Sequence, residues 1–361
     1  MSELTVRREG KALYNIVLSD SFMDLAAAAV SADLEDRKFC IVTDSNVAQH
    51  YLDEVRNIFD SIGDVYDFTF EAGEKSKNLE TVKDLYYFLI ENHFERGDVL
   101  AALGGGVTGD ITGFAAATYL RGIRFIQIPT SLLAQVDSSI GGKTGVDLKD
   151  YKNMVGAFHQ PALVYANTDS LLTLPDEQFV SGMGEVVKHG LIRDKAYYAW
   201  LKENHNAIVS RNSEKILRMV EKSCFIKKDV VEKDPNEKGE RAVLNFGHTI
   251  GHAVEKLMEF NLLHGECVAI GINAAAYISF KRGYISAEEL ADIRETLLSF
   301  GLPIKVKGIT PKEILEATKS DKKMDHGNIR FVLLDSLGSA GVHTDVNDEE
   351  ILAACWEVCS I

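Results

Sequence analysis

Cysteine is scarce in this chain, and its spacing suits neither of its usual structural uses. The five residues, Cys40, Cys224, Cys267, Cys355 and Cys359, are odd in number and contain no C-x-x-C pair. A disulfide framework and a cysteine-built zinc site are therefore not expected, and the reducing cytoplasm is the expected location. Basic charge is also short: 39 lysines and arginines against 54 acids give a formal net charge of −15. Such a chain repels nucleic acid and anionic lipid, so neither is an expected partner. An anionic substrate would need a local gathering of basic side chains against the overall field. Long apolar runs are missing. The longest, residues 267–280, is too short for a bilayer and carries Asn273, and the polar residues 1–18 hold no signal-peptide core. Prolines number six, none before Pro129, which suits dense regular structure in the first third.

What is present is the makeup of a soluble globular protein, 46% hydrophobic and 26% charged. At 361 residues the chain exceeds one ordinary core, so two domains are expected. Short runs rich in valine, isoleucine and phenylalanine at 14–18, 39–43, 65–70, 99–103, 125–128 and 163–166 read as strands. Helical patterns lie between several of them; in 78–93, Leu79, Val82, Leu85, Tyr86 and Leu89 share one stripe. This alternation predicts an α/β N-terminal domain, residues 1–175, with a mostly parallel sheet covered on both faces. From Pro175 the patterns turn helical, predicting a mainly α-helical C-terminal domain, 176–361, with a late strand pair at 329–334 and 341–344. Thr173 or Asp176 is expected to cap the first helix of that domain. The charged stretch 227–241 reads for the most part as a solvated loop.

Four motifs carry chemistry. Gly104, Gly106 and Gly109 satisfy G-x-G-x-x-G between a strand and a helix, where backbone amides hold a pyrophosphate. The acidic residue usual about twenty positions later is absent, so this is a non-standard dinucleotide loop, with Asp44 and Asn46 as alternative ribose partners. Residues 140–147, IGGKTGVD, lack the first glycine of a P-loop, which rejects an NTPase and leaves Lys143, with Asp137 upstream and Lys152 and Asn153 downstream, as anion binders. Glu185 and Lys188, three apart, share a helix face; Gly182 and Gly184 beside them imply close approach of another element. Lastly, His248, His252 and His264 crowd into seventeen residues beside Asn245 and Glu266. Neutral imidazoles there suit one metal ion, with Glu185 as an oxygen ligand and a coordination position left open. By spacing alone, His248 and His252, four apart, make the natural ligand pair.

The blocks LGGGVTGDITGFAAATYLRG, IPTSLLAQVDSSIGGKTGVD, KNMVGAFHQP, SGMGEVVKHG, LNFGHTIGHA, LLHGE and SDKKMDHGNIRFVLL together resemble the 3-dehydroquinate synthase family, in family order and over nearly the whole chain. The resemblance implies an NAD-dependent, zinc- or cobalt-dependent homodimeric enzyme acting on 3-deoxy-D-arabino-heptulosonate 7-phosphate. It assigns the metal to Glu185, His248 and His264 and leaves His252 to the substrate, against the spacing. NAD would meet Asp44, Asn46, Glu74, Lys77, Gly105, Gly106, Val107, Thr108, Gly109, Asp110, Thr130, Ser131, Lys143, Lys152, Ser170, Leu171, Leu172 and Thr173. Substrate would meet Asp137, Lys143, Asn153, Lys188, Lys227, Arg241, Asn245, His252 and Lys322, with Lys323 an alternative to Lys322. Arg121 would serve the neighbouring subunit's phosphate site.

The implied reaction oxidises one hydroxyl transiently, eliminates phosphate, restores the hydroxyl, opens the ring and closes a carbocycle by an intramolecular aldol step. Lys188 and Asp137 suit proton shuttling, with His264, Asn245 and His252 also at the reacting centre. Arg241 and Lys227 suit a carboxylate. Lys143, Asn153, Asn245, His252 and Lys322 suit a phosphate. Rival readings are another sugar-phosphate cyclase and a glycerol-dehydrogenase-like alcohol dehydrogenase. The dehydrogenase has no use for so many basic residues. A non-catalytic sugar-phosphate sensor would be expected to lack one of the three ligands, and all are present.

Overall fold

The computed structural model describes residues 1–149, 151–235, 237, 239–259, 261–322 and 330–360. Packing divides the chain into two compact units: Met1–Leu174 with Ile216–Lys228, and Pro175–Lys215 with Asp229–Ile361.

The first unit is built from β1 (Ser2–Arg8), β2 (Lys11–Ser19), α1 (Leu25–Ser31), β3 (Arg37–Asp44), α2 (Ser45–Phe59), β4 (Gly63–Phe70), α3 (Leu79–Glu91), β5 (Val99–Gly104), α4 (Gly106–Thr118), β6 (Arg124–Pro129), β7 (Lys143–Leu148), β8 (Tyr151–Phe158) and β9 (Leu163–Asn167). Seven strands form one sheet in the order β1-β2-β9-β6-β5-β3-β4. All neighbours run parallel except β1, which pairs antiparallel with β2. Central strands are buried on both faces, which is why they read as unbroken apolar runs. Alternate residues serve opposite faces: Phe39 and Ile41 of β3 pack with Val55 and Phe59 of α2, whereas Cys40 and Val42 pack with Val82 and Leu85 of α3 and Ile111 of α4. The helices after β3 and β5 therefore lie on opposite faces of the sheet. Two adjacent parallel strands whose connections depart to opposite faces leave a crevice at their carboxyl ends.

Two elements lie outside the sequence reading. The N-terminal segment, read as polar, supplies the edge strand β1. A two-residue turn joins it to β2, with Glu9 and Gly10 both at positive φ (51° and 80°), the backbone twist that closes a tight hairpin. The glycine-flanked Lys143 opens a second antiparallel hairpin, β7 with β8.

The second unit holds α5 (Asp176–Arg193), α6 (Lys195–Glu203), α7 (His205–Val209), the ends of α8 (Ser213–Lys233), α9 (His248–Leu257), α10 (His264–Lys281), α11 (Ala287–Ser299), α12 (Pro311–Lys322), the β10 (Phe331–Ser336) and β11 (Ser339–His343) hairpin, and α13 (Asp348–Val358). The run 267–280 is the interior of α10, which packs against α5, α9, α11 and α13 and is buried almost all round.

Three details are corrected. α5 takes no side-chain cap from Thr173 or Asp176; Pro175 stands at its N-cap, because the Thr173 hydroxyl is engaged by Tyr51 at 2.5 Å and Ser170 O at 3.1 Å. The stretch 227–241 is not mainly a solvated loop: α8 continues through it to Lys233, and Lys227 and Arg241 are buried. In sequence order residues 216–228 lie in the C-terminal half, yet they pack with the first unit.

Candidate functional site

In the first unit Asp44 and Asn46, the glycine loop, and Thr130 and Ser131 follow the carboxyl ends of β3, β5 and β6, whereas Arg121 precedes the amino end of β6. Asp44 ends β3 and caps α2, accepting from the amides of Asn46 and Val47 through Oδ1. Its other oxygen accepts from Thr108 Oγ1 at 3.3 Å, which ties the β3 loop to the glycine loop. Gly105 is the N-cap of α4 and offers no capping side chain, so the first amides of the helix stay available to an anion. A Cβ on Gly105 would lie 3.4 Å from Ser131 Oγ, and one on Gly106 would lie 3.2 Å from Ser138 Oγ. The first distance is ordinary contact and the second is tight, and the uncapped amides at this helix start fit a pyrophosphate.

Asp110, one turn into α4, pairs with Lys77 Nζ at 2.6 Å. Burial pushes the Asp110 carboxyl up in pKa, and Lys77 opposes the rise. Glu74 lies 3.6 Å from Lys152, and the amide of Asn153 (φ 55°) donates to Asp147 at 2.7 Å. Thr130 N donates to Gly104 O, and the buried Ser170 hydroxyl reaches Thr130 O at 3.4 Å. Leu171 is buried, while Leu172 and Thr173 are exposed. Lys143 is exposed at the start of β7, and Arg121 is exposed at φ 69° after Leu120 at φ 49°.

Asp137 sits on a π-helical turn, Ala134–Ser138, a geometry common at functional sites. Lys227 Nζ donates to its carbonyl oxygen at 2.6 Å and to its carboxylate at 2.5 Å, orienting the acid. Two residues outside the sequence reading brace these loops. Gln135 Nε2 donates to Pro129 O, Asn167 O and Ser170 Oγ, and Tyr51 contacts Ser170 and Thr173. Neither leaves a motif that sequence alone would single out.

In the second unit α5 is buried from Ser181 to Ile192. Glu185 and Lys188 form an ion pair inside it, at 0% and 1% exposure, not the solvated surface pair that i,i+3 spacing most often produces. Gly184 carries α5 against the start of α10, where a Cβ would come 2.6 Å from Gly265 O. His264 therefore arrives with Nε2 at 3.5 Å from Glu185 Oε1. Gly247, in the left-handed region at φ 84°, turns the chain into α9 and brings His248 Nε2 to 3.7 Å from the same oxygen. One ligand atom each from Glu185, His248 and His264 lies within 4.8 Å of the others. His252 is exposed, its ring 5.0 Å from that of His248 and 6.0 Å from that of His264.

Burial alone would raise the Glu185 carboxyl, but Lys188, His264 and His248 together hold it well below the usual carboxylate range. Burial and the Lys188 charge push His248 well below its ordinary value. For His264 burial works downward, but Glu185 and Glu255 prevail and push it up to about 9. Neither oxygen of Glu185 receives a hydrogen bond of good geometry. A buried carboxylate and two facing imidazoles form a donor set that zinc or cobalt accepts, so the residues fit a metal. Arg241 is buried on a 3₁₀ turn, its guanidinium donating to Pro235 O at 3.0 Å, and Asn245 Nδ2 donates to Glu237 at 3.1 Å. Lys322 closes α12 with its side chain outside the described residues, as is all of Lys323. Sequence reasoning missed Glu237 and Glu255; the second stands seven residues after His248, a helical interval that could have flagged it.

The family description "3-dehydroquinate synthase N-terminal" matches residues 67–181, and "3-dehydroquinate synthase C-terminal" matches residues 182–324. The 3-dehydroquinate synthase of Acetivibrio thermocellus is 41% identical over 353 residues, 98% of each chain. Among solved structures, a 2-deoxy-scyllo-inosose synthase complexed with carbaglucose-6-phosphate, NAD+ and Co2+ is 26% identical with a TM-score of 0.87, over 98% of this chain and 99% of that one. The 2-epi-5-epi-valiolone synthase of Streptomyces hygroscopicus, with NAD+ and Zn2+ bound, is 26% identical with a TM-score of 0.89 over the same shares.

Proposed function

Because the chain belongs to the 3-dehydroquinate synthase family, we propose that it converts 3-deoxy-D-arabino-heptulosonate 7-phosphate to 3-dehydroquinate and phosphate, a carbon–oxygen lyase reaction of the shikimate pathway. The observation that carries the reading is the buried Glu185 carboxylate, faced by Nε2 of His248 and of His264 and paired with Lys188.

Glu185, His248 and His264 would hold a zinc or cobalt ion, which would supply Lewis acidity. The glycine loop (Gly105, Gly106, Val107, Thr108, Gly109 and Asp110), with Asp44, Asn46, Glu74, Lys77, Thr130, Ser131, Lys143, Lys152, Ser170, Leu171, Leu172 and Thr173 as further contacts, would hold NAD, which would supply reversible hydride acceptance. The chain's own groups do the rest. Lys188, with its ammonium beside Glu185, relays hydroxyl protons. Asp137, oriented by Lys227, holds a second proton position. Lys143, Asn153, Lys227, Arg241, Asn245, His252 and Lys322 are the proposed partners of the substrate's carboxylate and phosphate. This concentrates positive charge in a protein of net charge −15.

The same reading makes the enzyme a cytoplasmic homodimer. Arg121, exposed and projected by two successive left-handed residues, serves the phosphate site of the other subunit. No helix among the described residues is long and apolar enough to cross a membrane.

The test is incubation of the purified protein with the seven-carbon phosphate, NAD and zinc, following phosphate, carbocycle and NADH. Phosphate and carbocycle in equal amounts, without lasting NADH, are expected. NADH formed in proportion to substrate consumed, with no phosphate, would make the protein a dehydrogenase and end the synthase reading.

A further inference from the structure

We propose that Glu255 is the positioning residue of the metal cluster, its carboxylate holding the His264 ring at Nδ1 so that Nε2 faces the ion. The inference rests on the metal reading above and extends it to a residue one helix turn beyond His252. α9 carries His248, His252 and Glu255 at intervals of four and three, which puts all three on one stripe. That stripe meets the start of α10, where the ring of His264 lies 5.4 Å from that of His248. His264 is thereby set between two carboxylates, with Nε2 at 3.5 Å from Glu185 Oε1 and Nδ1 at 3.9 Å from Glu255 Oε2.

The burial of Glu255 supports the role. It is 5% exposed, while the next residue, Lys256, is exposed. A carboxylate withdrawn from water is costly unless a donor or cation faces it. At 3.9 Å Glu255 Oε2 lies at ion-pair range of Nδ1, and a carboxylate on that side favours the imidazole proton on that nitrogen. It thereby frees the Nε2 lone pair, fixes ring rotation and makes the ligand more basic. Glu185 cannot perform this task, because it lies on the ligand side of the ring. Ligand atoms of His252, Glu255 and His264 also lie within 4.8 Å of one another, an arrangement in which Glu255 would itself be a ligand. The burial of Glu185, together with the exposure of His252, favours the ion on the Glu185 side.

The test uses full-length wild type, Glu255→Gln, Glu255→Asp and His264→Ala, each metal-stripped and reloaded with zinc or cobalt. Affinity is read by chelator competition and coordination by the cobalt absorption spectrum. The expected result is that Glu255→Gln binds the same number of ions per chain about 10- to 100-fold more weakly. Its cobalt bands keep the wild-type intensity, and Glu255→Asp recovers part of the affinity. Should the glutamine variant not fold, weakened binding with unchanged cobalt coordination in the aspartate variant carries the same meaning. A folded Glu255→Gln with wild-type affinity overturns the proposal. So does a cobalt spectrum that loses a ligand as His264→Ala does, since Glu255 would then be a ligand. Failure of the wild type to bind either ion would instead remove the metal reading on which the proposal stands.

Discussion

Gly184 and Gly265 meet backbone to backbone: a Cβ on Gly184 would lie 2.6 Å from the Gly265 carbonyl oxygen, and one on Gly265 would lie 1.7 Å from Ser181 O. Each glycine adjoins a proposed metal ligand, Glu185 on α5 and His264 on α10. The spacing of the two ligands is therefore set by a helix contact that admits no side chain. Gly184→Ala is expected to lower stability by about 1–3 kcal/mol, the usual cost of overpacking, and to weaken zinc binding at least about tenfold. Thermal unfolding and chelator competition measure the two effects. Wild-type values for both would mean that the contact does not govern the site.

Removal of metal by a chelator is expected to abolish activity, and Glu185→Ala and His264→Ala to do the same in folded protein. His252→Ala is expected to keep its metal while turnover falls, because His252 lies beside the cluster without facing Glu185. Metal analysis of the purified variants decides the point. If His252→Ala loses as much metal as His248→Ala, the i,i+4 pair holds the ion and His252 is a ligand.

Metal uptake should depend on pH through His264. Its metal-free pKa, pushed up to about 9, means that the ring is protonated near neutrality, whereas His248, held well below its usual value, is already neutral. Zinc association should therefore weaken as pH falls below 9, by up to about tenfold per unit, with about one proton released per ion near pH 7. For the metal-free fold the sign is opposite. The raised pKa contributes stability that is complete below the unfolded value of 6.5 and is lost as pH rises through about 9. Indicator-dye titration that detects no released proton would contradict this assignment.

Lys322→Ala is expected to slow phosphate release and to let some NADH accumulate, because a loosely held substrate can leave as the ketone and strand the reduced cofactor. Lys323→Ala serves as the comparison. The same defect in Lys323→Ala, and none in Lys322→Ala, would move the phosphate contact one residue along.

The middle of the sheet was legible because its central strands are buried on both faces. All six apolar runs fall inside observed strands, and the glycine loop stands between β5 and α4. The interruption of α5 by Gly182 and Gly184 was legible as close approach, and Gly265 is what approaches Gly184. Other features had no local mark. β1 is an edge strand whose outward residues are polar, so it lacked the apolar run that marks the inner strands. β8 is largely exposed and glycine-bearing, so β7 and β8 lacked the apolar signature of a core strand. The burial of Lys227 depends on Asp137, ninety residues earlier, and composition alone made its stretch look solvated.

The placement of Ile216–Lys228 limits how this chain can be divided. The helical segment that supplies Cys224 to Gln135 O at 3.2 Å and Lys227 to Asp137 is encoded after about forty residues belonging to the other unit. A gene fragment ending at Leu174 would carry the whole seven-stranded sheet yet leave Asp137 without its lysine. The complementary fragment would carry a helix whose buried side belongs elsewhere. End-to-end fusion of two finished modules does not produce such an arrangement. Swapping the nucleotide half between relatives at a single crossover should therefore fail where a double crossover that also exchanges residues 216–228 succeeds.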